Sequence, residues 1–360
     1  MKKSLIALAV FSAFSGAAFA ADSVQLYGTL DMGVTRYSNG SADSLTNMTS
    51  GVLNGTKFGV KGTEDLGGGL TAGFQAETGF CSQGGGTGYG STTPAGNQYC
   101  TGGGFMGRTS MVNLSGGFGT VAAGRMYSFT DNSIGTVDPT ANSLLGYSGQ
   151  LIPADSISRI SQMIAYMSPT LLGGLTLNAG YAFGDGTGLT TKTTGAYNLN
   201  ATYAAGPIVA GLDYQRLNVD TATSSGAAAI KNTMLFGSYD FGVVKVGGLF
   251  ARNKPDASTL LDETDSWMLG VSAPIGAGSL QLAYTQLKDK TTEANGANVW
   301  NLGYVYAMSK RTQLYANYAR LSNKSAAMYT ISGAMGVSAP TPTTGGFNSS
   351  GFAVGISHSF

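Results

Sequence analysis

Hydrophobic and polar side chains alternate along most of this chain. In SVQLYGTLDMGVTRY, for example, Val24, Leu26 and Leu30 are separated by polar or small residues. A period of two is the pattern of a β-strand with one apolar and one polar face. Comparable segments recur up to the final stretch, GFAVGISHSF. The pattern predicts an all-β fold of sixteen strands, in which the last strand pairs with the first.

The connections between these segments alternate between short and long. Short turns rich in Gly or Pro lie at 65–69, 115–119, 168–174, 205–207, 240–242, 274–278 and 309–310. Long polar connections lie at 38–53, 81–105, 127–157, 185–194, 218–231, 253–264, 288–297 and 322–349. Short turns at one end and long loops at the other are typical of an antiparallel transmembrane β-barrel, with short periplasmic turns and long extracellular loops. A soluble β-sandwich is the alternative. Closure of the sheet, which leaves no edge, and aromatic residues near strand ends favour the barrel.

The composition agrees with a membrane sheet. Charged residues make up 11% of the chain and 55 of its 360 residues are glycine, whereas a soluble domain carries about 25% charged residues. No apolar run of about 20 residues follows the first segment, so no transmembrane helix is predicted. The formal net charge is +1 and no basic stretch with interleaved aromatic residues occurs. Nucleic acid is therefore not an expected partner.

The first twenty residues read as an export signal. Lys2 and Lys3 precede a short apolar run, and Ala18, Phe19 and Ala20 form a small-x-small cleavage site. This arrangement predicts a signal peptide over 1–20 and a barrel domain over 21–360. A membrane anchor is the alternative, but the apolar run is short for one.

The two cysteines bracket a Gly/Ser/Thr-rich stretch. Cys81 and Cys100 are the only cysteines of the chain. In an exported protein they are expected to form a disulfide across a loop. Metal binding is the alternative, but two thiols and one distant histidine do not complete a zinc site. No metal and no cofactor is predicted.

Six stretches spread over the whole chain carry a family resemblance. They are SVQLYGTLDMGV at the start of the predicted barrel, FGVKGTEDLGGGLTAGFQAE (58–77), VNLSGGFGTVAAGR (112–125), IAYMSP (164–169), YVYAMSKRTQLYANYA (304–319) and the terminal HSF. Together they resemble the general porins of Gram-negative bacteria, specifically the trimeric β-proteobacterial type. The resemblance implies a homotrimer in the outer membrane, in which each barrel has its own water-filled pore for passive diffusion of small hydrophilic solutes and ions.

The resemblance also implies a constriction formed by the third long connection, 127–157, which we call loop 3. The acidic side of this constriction is expected to comprise Asp131, Asp138 and Asp155, and the basic wall Lys57, Arg108 and Arg159. Alternation independently places Lys57 and Arg159 on the polar face. It groups Arg108 with the apolar face instead, so Arg108 needs a bulge or a position above the membrane. Three basic residues on the wall predict a modest anion preference.

The resemblance further implies the other partners. The terminal Phe360 is similar to the signal that the barrel assembly machinery reads in this family. Outer-membrane lipid, including lipopolysaccharide, is expected to surround the barrel.

Three other functions are alternatives to diffusion through a general porin. An enzyme would need a catalytic histidine, and the only one, His358, lies on the apolar face of the last strand. Neither a G-x-S-x-G elbow nor a P-loop is present. A monomeric substrate-specific channel and a surface adhesin remain as alternatives to the general porin.

Overall fold

The computed structural model describes residues 23–40, 44–82, 105–153, 158–184, 191–221, 227–256, 263–290, 295–331, 342 and 344–360. Within them, seventeen strand segments form one antiparallel sheet. The strands are β1 (Ser23–Asn39), β2 (Leu45–Ser50), β3 (Lys57–Gly67), β4 (Leu70–Gly79), β5 (Thr109–Gly116), β6 (Gly119–Tyr127), β7 (Arg159–Met167), β8 (Leu175–Ala182), β9 (Thr191–Ala205), β10 (Ile208–Thr221), β11 (Ala227–Asp240), β12 (Lys245–Pro255), β13 (Thr264–Ile275), β14 (Gly278–Asp289), β15 (Ala297–Ala307), β16 (Thr312–Asn323) and β17 (Asn348–Ser359). Loop 3 contains helix α1 (Phe129–Val137) and a 3-10 helix (Ser148–Leu151).

The sheet closes on itself and has sixteen strand positions, as the alternation predicts. β1 pairs with β17 on one side. On its other side β1 pairs with β3 along its first half and with β2 along its second half. β2 and β3 therefore share one position in the barrel, and the intervening residues 51–56 interrupt that strand.

The assignment of 38–53 to a long connection was wrong in part, because β2 lies within it. Its sequence, LTNMTS, has only two apolar residues, and their spacing does not alternate. Hydrogen bonds to β1 hold it instead: the Thr35 hydroxyl donates to the side chain of Asn47 at 2.8 Å. Strands β9, β10 and β11 likewise extend into the connections predicted at 185–194 and 218–231. Backbone pairing continues there after the hydrophobic pattern has ended.

The barrel is apolar outside and polar inside. Outward side chains such as Leu26 and Leu235 are 59% and 58% exposed. Inward side chains from β9, β10, β15 and β16 are buried and polar, and they include Asn198, Asn200, Asp213, Gln215, Asn301 and Asn317. This distribution is the reverse of a soluble protein and matches a barrel with lipid outside and a polar lumen. Among the described residues, no helix is both long and apolar enough to cross a membrane.

Outward aromatic residues form two belts. Toward the long connections, the rings of Trp267 and Tyr284 are 5.1 Å apart and those of Tyr284 and Trp300 are 4.5 Å apart. Toward the short turns, Tyr239 and Phe241 have ring centroids 4.5 Å apart. Aromatic side chains of this kind sit at the two membrane–water interfaces.

The seam between the first and last strands ends at a glycine. Gly28 and Phe360 exchange two backbone hydrogen bonds of 3.1 Å. A β-carbon on Gly28 would lie 2.3 Å from Cζ of Phe360, so the phenylalanine ring covers the glycine. This contact explains why position 28 carries no side chain.

Replacing Gly28 with valine is expected to reduce the folded fraction of the protein. The new side chain would displace the Phe360 ring and also approach the Lys57 carbonyl oxygen at 2.9 Å. The folded fraction is measured as the heat-modifiable band on a gel after refolding into detergent. Gly117→Val is the matched control, because a β-carbon at Gly117 meets nothing within 4 Å. Equal folded fractions for the two variants would contradict this account of the seam.

Candidate pore constriction

Loop 3 packs against inward residues of two parts of the barrel wall. Helix α1 begins after Ser128, whose hydroxyl accepts a hydrogen bond from the Asp131 amide at 3.1 Å, a typical N-cap. Its apolar side chains Ile134 and Val137 pack against inward residues of β11, β12 and β13, among them Met234, Phe236, Leu249 and Met268. The later part of the loop packs against β15 and β16 through Leu144 and Leu145.

Polar side chains of the barrel wall form hydrogen bonds with backbone amide and carbonyl groups of loop 3. Asn317 accepts a hydrogen bond from the Leu145 amide at 2.8 Å, and Asn301 donates one to the Leu145 carbonyl at 2.6 Å. Ser266 donates to the Leu151 carbonyl at 2.7 Å. Because buried backbone groups need partners, these side chains fix the path of the loop across the lumen.

The start of helix α1 is held by Asp213 of β10. This carboxylate is 1% exposed and accepts hydrogen bonds from the Thr130 hydroxyl, from Asn198 at 3.2 Å and from Asn200 at 3.4 Å. Asn198 in turn accepts the Phe129 amide at 2.6 Å. Asp213 therefore acts as an anchor for loop 3.

A second wall carboxylate holds the interruption between β2 and β3. Asp31 is buried and accepts hydrogen bonds from the amides of Val52 at 3.0 Å and Asn54 at 2.9 Å. The Tyr315 hydroxyl donates to the same side chain at 3.0 Å. The Val52 carbonyl accepts the Leu144 amide at 2.8 Å, so residues 51–56 lie between the wall and loop 3.

The structure brings Lys57, Arg108 and Arg159 together. Arg108 forms an ion pair with Glu77 at 2.6 Å, in which the two side chains are 9% and 6% exposed. Arg108 donates to the Tyr127 hydroxyl at 3.0 Å, and Arg159 donates to the same oxygen and lies 4.1 Å from the Tyr127 ring centroid. Lys57 interacts electrostatically with Glu77, Arg108 and Arg159. We call Lys57, Glu77, Arg108, Tyr127 and Arg159 the wall cluster.

The conflict over Arg108 is resolved by its position just before β5. That strand begins at Thr109, so the alternation of β5 does not extend to Arg108. Its backbone amide donates to the Glu77 carbonyl at 3.1 Å, and its side chain turns toward the Glu77 carboxylate.

A bulge occurs between β6 and β7. Because of it, the orientation that alternation predicts for Ile160 is wrong. Alternation groups Ile160 with the outward Ile164 and Tyr166. In the structure Ile160 is 6% exposed and packs beside Met126 and other inward residues. The register between β6 and β7 shifts between Gly124 and Met126, so the strict alternation of β7 does not extend to Ile160.

The loop acids occupy different surroundings. Asp131 is half-buried in the first turn of α1 and interacts electrostatically with Arg159. Asp138 is 3% exposed and ends α1: its carboxylate accepts the Thr140 amide at 2.9 Å and hydrogen bonds from Ser148. The structure therefore joins Asp131 to the basic wall, whereas Asp138 holds loop 3 together from within. Asp155 lies outside the described residues.

The remaining predicted residues are placed as follows. Cys81 is buried two residues after the end of β4, and Cys100 lies outside the described residues, so their disulfide stays a prediction. His358 is exposed on the outward face, and its Nδ1 lies 2.9 Å from the Thr312 hydroxyl. The predicted signal peptide also lies outside the described residues.

Several residues of the site were missed by the sequence analysis. Glu77 shares the polar face of its strand with Gln75, which was the available signal for an inward carboxylate. Lys245, on the same face of β12 as the buried Gly247, donates to the Thr136 carbonyl near the end of α1 at 3.2 Å. A lysine is favourable there because the end of a helix carries partial negative charge. The anchoring roles of Asp31 and Asp213 depend on contacts across the barrel and had no local signal.

A protein-family comparison identifies the barrel. The family model described as "Gram-negative porin" matches residues 7–326. This chain belongs to the Gram-negative porin family. As a porin, it is an outer-membrane protein whose polar lumen is a channel for passive diffusion.

Individual relatives agree with this assignment. The porin is 35% identical to Outer membrane porin protein 32 of Delftia acidovorans, over 100% of both chains. It is 32% identical to an outer membrane porin protein of Bordetella pertussis, over 89% of this chain and 94% of the relative. Among solved structures, the "Anion-selective porin from Comamonas acidovorans" superposes with a TM-score of 0.78 at 29% identity and covers 94% of this chain and 100% of that one.

Proposed function

We propose that this porin prefers anions and that the wall cluster sets the preference. The supporting observation is that three cations share one carboxylate: Lys57, Arg108 and Arg159 all interact electrostatically with Glu77. The inward carboxylates Asp31 and Asp213 are already engaged as anchors for the segments that narrow the lumen. A cleft lined by one sign of charge concentrates the opposite ion.

Asp131 opposes the wall cluster from loop 3. The negative charge of Asp131 acts on Arg159 from the side of loop 3. The electric field in the constriction therefore points from the basic wall cluster toward loop 3. Such a field attracts anions to the wall and orients dipolar solutes as they pass. The anion-selective structural relative supports the same sign of preference.

The selectivity is tested by the zero-current potential across a planar bilayer under a KCl gradient. We expect wild-type protein to favour chloride and Lys57→Gln/Arg159→Gln to lose the preference. The chloride-to-potassium permeability ratio should fall by up to about fivefold per removed charge, enough to abolish a modest preference or reverse it, since unit charges 4 Å apart in water interact by about 1 kcal/mol. Lys310→Gln, on an exposed turn, is the control and should behave as wild type. Cation selectivity of the wild-type protein would overturn the proposal.

We further propose a homotrimer without catalytic activity, exported with a signal peptide and inserted by the barrel assembly machinery. The pairing of Phe360 with Gly28 at the seam supports a role for the last residue in assembly. Lipopolysaccharide is proposed as the surrounding outer-leaflet lipid, because the outward face is apolar between two aromatic belts.

A further inference from the structure

A cavity of about 350 Å³ lies between helix α1 and the inner face of the barrel wall, toward the short turns. Met167 ends β7 and Thr176 lies near the start of β8, so the turn at 168–174 borders the cavity. Short turns of such barrels face the periplasm. The side chains of Asn132 and Thr136 on α1 are exposed, so the cavity is open to solvent. We call it the α1 cavity.

Amide and hydroxyl groups form the polar part of the α1 cavity. Asn178 and Thr176 of β8 pair with Asn200 and Thr202 of β9. The Asn178 amide donates to the side-chain oxygen of Asn200 at 2.8 Å, and the Thr202 hydroxyl donates to the same oxygen at 3.1 Å. Asn200 in turn donates to the Ser133 hydroxyl of α1 at 3.1 Å. These bonds join the wall to the helix, and a site held in this way needs little reorganisation on binding.

Several of these groups keep hydrogen-bonding capacity for a ligand. Asn178 is half-buried and uses one of its two amide N–H groups on Asn200. The hydroxyls of Thr176 and Thr202 donate to oxygens of the protein, so their lone pairs can still accept. The exposed amide of Asn132 offers two donors and one acceptor. A solute with several hydroxyl groups matches this mixed set, because each hydroxyl both donates and accepts.

The remaining surface of the α1 cavity is apolar, and none of the described residues that line it is charged. Phe129, Met167 and Phe236 supply the apolar part. Sites for small molecules have volumes of about 300–1,000 Å³ and combine apolar surface with a few polar groups, as this cavity does. A charged ligand would lose hydration there without gaining a counter-charge. The lining therefore favours an uncharged ligand.

The α1 cavity extends well away from the wall cluster. Met167 lies eight residues after Arg159 on β7. At the rise of a β-strand, this end of the cavity is roughly 25 Å from Arg159 along the strand. That separation is about three Debye lengths at physiological ionic strength. Binding in the cavity can therefore be tested independently of ion selectivity.

We propose that the α1 cavity binds an uncharged, polyhydroxylated solute of about the size of a monosaccharide as it passes from the constriction to the periplasm. The mixed amide and hydroxyl groups, the apolar surface and the uncharged lining carry the proposal. Binding in a channel has to be weak enough for the solute to leave. We therefore expect a dissociation constant on the order of 1 mM. The proposal does not depend on the anion preference proposed above.

The test is a titration of the purified porin in detergent micelles with D-glucose, followed by saturation-transfer difference NMR of the sugar protons. Wild type should show saturable binding. Asn132→Ala/Thr176→Val removes two of the polar groups and should weaken binding roughly tenfold. Asn132→Phe fills the cavity from the exposed face of α1 and should abolish saturable binding.

Two controls make the test specific. Gln313→Ala removes an inward amide at the short-turn end of β16, on the opposite side of the barrel from β8. It should bind glucose within about twofold of wild type. Triethylene glycol dimethyl ether, which is uncharged and has no hydroxyl group, should not bind saturably, because a site built for hydroxyl groups rejects a ligand without them.

The opposite results would overturn the proposal. They are a glucose signal from wild type that does not saturate, equal affinity of wild type and Asn132→Phe, and equal binding of the ether. None of the substitutions changes a charge, so the zero-current potential should stay at its wild-type value. A changed potential with unchanged glucose affinity would assign these residues to the ion path instead, against the proposal. If the double variant does not fold, Asn132→Ala and Asn132→Phe, at an exposed helix position, decide the question in the same way.

Discussion

Replacing Glu77 with glutamine is expected to lower the free energy of unfolding by about 3–5 kcal/mol. The Glu77–Arg108 pair is nearly inaccessible to solvent, and removing one partner of such a pair leaves a buried charge without compensation. Glutamine preserves the size of the side chain and an acceptor for Arg108. The decrease in the free energy of unfolding therefore measures the effect of the lost charge and not of altered packing. The same change removes the carboxylate shared by Lys57 and Arg159, and the anion preference should therefore increase.

A double-mutant cycle separates the pair from its surroundings. Arg108→Gln alone should destabilise the protein to a similar extent and reduce the anion preference. Glu77→Gln/Arg108→Gln should recover much of the lost stability, because no unpaired charge remains. Stability is measured by guanidinium unfolding in detergent micelles, with the exposed Glu64→Gln as control. A loss below about 1 kcal/mol for Glu77→Gln would show that the pair behaves as a solvated surface ion pair.

Replacing Asp213 with alanine is expected to raise the single-channel conductance and its fluctuation. The change removes the acceptor of Thr130, Asn198 and Asn200 at the start of α1, so buried donors at that end of loop 3 lose their partner. Each unsatisfied buried donor costs about 1–3 kcal/mol. The loop can relieve this cost by moving away from the wall, which widens the constriction.

Two further variants make this test specific. Asp213→Asn keeps an acceptor for the Thr130 hydroxyl and should retain most of the wild-type conductance if hydrogen bonding is the cause. Asp240→Asn, at an exposed turn, controls for loss of one negative charge. Conductance is recorded from single channels in planar bilayers at high salt, where surface charge is screened. If Asp213→Ala has the conductance of wild type, the other contacts of loop 3 are sufficient to hold the loop in place, and this prediction is wrong.

The architecture could be predicted from the sequence because it depends on local periodicity. Alternation gives the sixteen strand positions and the inward direction of Lys57 without knowledge of any partner. The errors fall where another interaction overrides the period. Ile160 changes face at a bulge, and β2 forms through backbone pairing without an apolar pattern.

The details of the site could not be predicted, because they depend on contacts between residues far apart in the chain. Asp213 accepts a hydrogen bond from Thr130, which lies 83 positions earlier in the chain. Asp31 accepts one from Tyr315, which lies 284 positions later. The surroundings of Asp138 could not be predicted for a related reason. A carboxylate in a long loop has the same local sequence whether it faces the lumen or closes a turn, and here four donor groups of Thr140 and Ser148 surround it.

The contacts of loop 3 with the wall have a consequence for how permeability evolves. The path of the loop is set by side chains on β10, β13, β15 and β16, and by the absence of one at Gly247, where a β-carbon would lie 2.1 Å from the Val137 carbonyl oxygen. The aperture is therefore encoded across much of the chain and not in the loop alone. Evolution can therefore alter what the pore admits through substitutions in wall residues, while loop 3 keeps its sequence.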